Sequence, residues 1–85
     1  MPSGMPVPRD LLFVLKSGEY VLDVGDARVQ DVQTGEFLAF REPDYGRSML
    51  DGDLETLKNN GVVISYTPRV VYLRPLPEPP RRTIE

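Results

Sequence analysis

The chain has 85 residues, a formal charge of −3, and neither cysteine nor histidine. That length makes one domain with a thin core. The missing residue types exclude a disulfide framework, thiolate or imidazole metal ligation, and an imidazole general base.

Residues 1–9 hold three prolines and one glycine. Such a stretch cannot propagate a helix and reads as a flexible, proline-rich arm. It lacks the charged start and apolar stretch of a signal peptide. No run of about 18 apolar residues occurs, so no transmembrane helix is expected. Cytoplasmic is the default location, with no membrane partner.

A single small β-rich domain is expected over 10–74. Leu11-Leu12-Phe13-Val14-Leu15 is a short apolar run that reads as a buried strand. Ser17-Gly18 turns it into Tyr20-Val21-Leu22-Asp23-Val24, where Tyr20, Leu22 and Val24 share a face. Gly25-Asp26 is the next break. Val29 and Val32 stand three apart, which fits neither strand nor helix period, and a bulge would reconcile them. Thr34-Gly35 then leads to a strand over Phe37–Phe40.

Glu42–Arg47 is turn chemistry throughout. Leu50, Leu54 and Leu57 fall on one helix face. Ser48 with Asp51 has the form of a capping box, and a start at Asp51 or Asp53 would suit the helix dipole. Asn60-Gly61 fits a left-handed helix stop, or a hairpin turn. Val62–Thr67 is β-branched and aromatic, a strand. Pro68-Arg69 separates it from Val70–Leu73, making a third hairpin or a kinked edge. Residues 75–85 form a proline- and arginine-rich tail of polyproline II character.

The expected fold is therefore α+β. A mostly antiparallel sheet, open or curled towards a small barrel, has the order β-β-β-β-α-β-β with one short helix. The expected core is Leu11, Phe13, Leu15, Tyr20, Leu22 and Val24 from the first hairpin. Phe37 or Leu38, Phe40, Leu54, Leu57, Val62, Ile64 and Tyr72 complete it. The valine-rich residues 62–73 are the expected exposed edge.

Catalysis finds little to work with. Asp51, Asp53 and Glu55 are close in sequence, but a helix start gives them similar, solvated environments, whereas an acid–base pair needs opposed ones. Ser17, Ser48 and Ser65 have no base to activate them. Asp51-Gly52-Asp53-Leu54-Glu55 lacks the full ligand spacing of a calcium loop. No phosphate-binding glycine motif is present. The chain is expected not to be an enzyme and to need no cofactor.

Interaction motifs are richer. Arg74-x-x-Pro77-x-x-Pro80 and Pro77-x-x-Pro80-x-Arg82 match the two orientations of a polyproline ligand. Tyr45 and Arg47 sit at an expected loop tip, and both types are enriched in interface hot spots. Tyr66, Arg69, Tyr72 and Arg74 could stack bases and hold phosphates in a single-stranded nucleic-acid binder. The charge distribution disfavours that alternative: residues 10–60 hold eleven acids and five bases, whereas residues 61–85 hold four arginines and two glutamates. The leading expectation is a non-catalytic interaction module, an accessory subunit or regulatory adaptor. It binds a protein partner or self-associates as a homodimer.

Overall fold

Gly18, at φ +102°, makes the first turn, and its N–H reaches the carbonyl of Leu15 at 2.8 Å. It folds Leu12–Leu15 (β2) back on Tyr20–Gly25 (β3). The structure is a computed structural model that describes residues 4–78. A second two-residue turn, Asp26-Ala27, with both residues at positive φ, returns β3 into Arg28–Asp31 (β4). Phe37–Ala39 (β5) pairs with β4, and Tyr45–Ser48 (β6) pairs with the far side of β2. The result is a five-stranded antiparallel sheet of order β5-β4-β3-β2-β6.

A three-stranded sheet, β1-β8-β7, is built from Met5–Pro8 (β1), Val63–Tyr66 (β7) and Val70–Leu73 (β8). The single described helix, Asp51–Asn59 (α1), precedes β7. Gly61, at φ +81°, ends it, and Val62 N–H bonds back to the carbonyl of Leu57 at 2.9 Å. The α+β class and the mainly antiparallel pairing are as expected. No described helix is long and apolar enough to cross a membrane.

Strand β2 is buried along its whole length because it has a core on each face. Leu12 and Val14 point into the main core with Leu22 and Val32. That core is closed by Leu54 and Leu57 of α1, Val63 of β7, and Val71 and Leu73 of β8. Phe13 and Leu15 point the other way, into a smaller cluster with Val21 and Val29, flanked by Leu38 and Phe40. The odd spacing of Val29 and Val32 is thereby explained without a bulge between them: each serves a different core.

The five-stranded sheet must curl. Its edges β5 and β6 lie four strand spacings apart, about 19 Å if flat. Only Phe40–Asp44 joins them, and three of those residues form a 3-10 turn rising about 2 Å each. The link therefore crosses the second core as a short roof, with the Phe40 ring 5.2 Å from that of Phe13. The sheet does not close into a barrel, since β5 and β6 are not hydrogen-bonded to each other.

Several expectations are corrected. The arm at 1–9 is, over Met5–Pro8, a strand paired with β8, and Val7 is buried. Tyr45–Arg47, read as part of a turn, and Ser48, read as a helix cap, form strand β6, and the helix cap is Leu50. Leu11 and Ile64 are 38% and 37% exposed. Leu11 belongs to a 3-10 turn before β2. A register shift between Val63 and Ser65 turns Ile64 outwards. Val71 and Leu73, not Tyr72, fill the core from β8, because Leu73 pairs with the inward Val63. Tyr20 and Val24 are partly buried at the margin of the main core. Of the 62–73 segment, β7 is an edge, whereas β8 is central.

Candidate functional site

Arg47 was expected at a loop tip. Strand β6 instead lays it beside α1, where its terminal nitrogens donate to the two carboxylate oxygens of Asp53 at 2.6 and 3.1 Å. Asp53 is only 8% exposed. It also accepts the Leu50 N–H at 2.8 Å, as the third residue of the helix reaching back to its cap, and the Tyr20 hydroxyl at 3.2 Å. The Arg47 guanidinium holds the Asp53 carboxyl down to about 2, aided by the Leu50 N–H. Burial, together with the Asp53 charge, raises the Tyr20 phenol. Arg47 is thus tied into the body of the domain. The other two acids of the helix start are engaged separately: Asp51 accepts from Arg9 at 2.5 Å and Glu55 from the Tyr66 hydroxyl at 2.7 Å.

The first half of the tail is docked. Gln30, 2% exposed, donates its amide to the carbonyls of Pro77 at 2.8 Å and Gly35 at 3.2 Å. Arg74 donates to the carbonyl of Gln33 at 3.0 Å, and Leu76 packs against the main core. Arg74 and Pro77 therefore hold the chain against the β4–β5 connection. Pro80 and Arg82 lie outside the described residues.

Tyr66 and Tyr72 fall on opposite faces of the three-stranded sheet. Tyr66 pairs with Val71, whose side chain is fully buried, whereas Tyr72 pairs with Ser65 and Pro6 on the outer face. Arg69 sits in the exposed β7–β8 turn, its carbonyl accepting the Arg9 N–H at 2.9 Å. These residues do not form one stacking platform.

Tyr45, another of the expected site residues, is 40% exposed. Its ring lies 5.1 Å from Phe13, and its hydroxyl shares a 2.9 Å hydrogen bond with Ser48. Phe13, Phe40 and Tyr45 line one cleft of about 510 Å³, beneath the roof that links β5 to β6. Asp10, Asp23, Glu42 and Lys16 stand around it. Its volume is within the range of small-ligand sites. Strand β6 borders it, and all four of its residues are exposed. Gly46 permits the close approach of β6 to β2: a Cβ there would stand 2.5 Å from the Val14 carbonyl oxygen.

Phe13 and Phe40 were read only as core, and Asp10, Lys16, Asp23 and Glu42 were given no site role. Spacing held no sign of the cleft, because its residues come from three separate segments, 10–16, 23 and 40–45, and meet only when the sheet curls. No family model, curated protein or solved structure matches the chain.

Proposed function

We propose that this chain is a non-catalytic interaction module that takes an extended segment of a protein partner along the β6 edge. The observation that carries this reading is the position of β6: an edge strand with no buried residue beside an aromatic cleft. An exposed edge offers unpaired backbone groups, and an adjoining pocket adds side-chain selectivity. The other three edges are less suited. Strand β1 carries Pro6 and Pro8, which have no N–H to donate. Strand β5 is three residues long, and β7, bulged at Ile64 as β6 is at Gly46, has only Ile64 exposed. Such a module fits an accessory subunit or regulatory adaptor, and its small core gives no basis for a larger catalytic cavity.

The test places a benzophenone amino acid at Tyr45, with the same group at Lys58 of α1 as control, in the full chain exposed to its own host's extract. The expected outcome is a light-dependent adduct from position 45 and none from 58. The cross-linked partner segment, made as a peptide, then slows amide exchange of Tyr45–Ser48. A partner segment that leaves those amides unprotected, or adducts from 58 alone, overturns the reading.

A further inference from the structure

The cleft differs from its surroundings in chemistry as well as shape. Three rings line it: Phe40 and Tyr45 each stand just over 5 Å from Phe13. Its rim holds three carboxylates, Asp10, Asp23 and Glu42, against one base, Lys16. Among the described residues, no cation lies within salt-bridge distance of these three acids; the two ion pairs present are Arg9–Asp51 and Arg47–Asp53. Asp23 accepts a hydrogen bond from the nearby Gly25 N–H, and among the described residues neither the Asp10 nor the Glu42 side chain has a hydrogen-bond partner.

We propose that the cleft receives an arginine side chain of the segment that pairs with β6, so that the partner segment is basic. The proposal rests on the interaction reading above and names the partner's chemistry. Aromatic faces attract a cation through their quadrupole, more strongly when water is partly excluded. A planar guanidinium can stack on a ring and still donate in-plane to carboxylates at the rim, which a lysine ammonium cannot do in the same geometry. A strand seated on β6 sends alternate side chains to the cleft face of the sheet. An acidic segment would meet the net negative rim and be repelled.

The test titrates the full, isotope-labelled chain with three seven-residue peptides of alternating threonine and valine. Their central residue is arginine, its neutral isostere citrulline, or glutamate. Chemical shifts of β6 and of the cleft residues are followed. The arginine peptide is expected to bind roughly tenfold more tightly than the citrulline peptide, as stacking plus a rim ion pair supplies. That preference shrinks as salt is raised. In the Asp10→Asn/Glu42→Gln double variant the preference falls while β6 shifts persist. Equal binding of all three peptides at β6 overturns the arginine assignment and leaves the edge reading intact. No β6 shift with any peptide at millimolar concentration overturns both. Shifts at β6 that follow protein concentration alone assign the edge to a second copy and also overturn the proposal.

Discussion

Arg47 closes on Asp53 with both terminal nitrogens and so fastens edge strand β6 to the first turn of α1. The same carboxylate takes the Leu50 N–H and the Tyr20 hydroxyl. One acid thereby joins β3, β6 and the helix cap. Removing it leaves three donors short of a partner. Asp53→Ala is expected to cost about 1–3 kcal/mol, read as a lower urea midpoint. Asp53→Asn keeps the volume, loses the ion pair, and falls between wild type and Asp53→Ala. Arg47→Gln, combined with Asp53→Asn, is less than additive, since both remove one contact.

The same site gives a pH dependence. The Asp53 carboxyl is lowered in the fold from 3.8 to about 2. A carboxylate depressed by folding stabilises the fold fully above its unfolded value and loses that contribution as pH falls through the folded one. The Asp53 contribution is therefore whole above about pH 4 and disappears towards pH 2. Urea midpoints of wild type and Asp53→Asn, measured from pH 5 downwards, should converge across that window. A gap that stays constant to pH 2 contradicts the assignment.

The Asp26-Ala27 turn holds Ala27 at φ +56°. A left-handed conformation costs an L-residue about 1–2 kcal/mol, and glycine avoids it at some entropic cost of its own. Ala27→Gly should raise stability by about 0.5–1 kcal/mol. An unchanged or lowered urea midpoint refutes the turn geometry.

Gln30 tests whether the tail belongs to the body. Deleting residues 75–85 removes the Pro77 carbonyl and the packing of Leu76, and should cost about 1–3 kcal/mol. In a Gln30→Met background the same deletion should cost less, because no buried amide donor is then orphaned. It follows that a tail deletion alone cannot separate loss of binding from loss of stability.

The core side of β8 is tested by contrast. Leu73→Ala should cost about 2–5 kcal/mol, the usual range for emptying a buried leucine site. Ile64→Ala, on the outward bulge, should cost less than about 1 kcal/mol. The reverse ranking would mean that the sheet is in the other register.

The hairpin of β2 and β3 was legible because Ser17-Gly18 punctuates two apolar runs, and the helix because Leu54 and Leu57 keep its period. Strand β6 was not, since none of Tyr45-Gly46-Arg47-Ser48 is buried and the segment is a strand only through its bonds to β2. Strand β1 was hidden by its prolines, which an edge position tolerates. The inward face of β8 was misjudged because Val70–Leu73 is apolar throughout, and only pairing decides which half is buried. The candidate site fared similarly. Tyr45 could be suspected from its type, but its neighbours Phe13, Phe40 and Glu42 are set by curvature. Arg47 was misassigned because its partner, Asp53, reads as a solvated acid until β6 lies beside α1.

Amide hydrogen exchange of the full chain, resolved by residue at a low and a high concentration, tests most directly whether β6 is a free edge. The account expects the β6 amides not bonded to β2 to exchange fast at both concentrations, with the β2 and β3 amides protected. Slow exchange throughout Tyr45–Ser48, or protection that grows with concentration, would show the edge already covered and contradict the account.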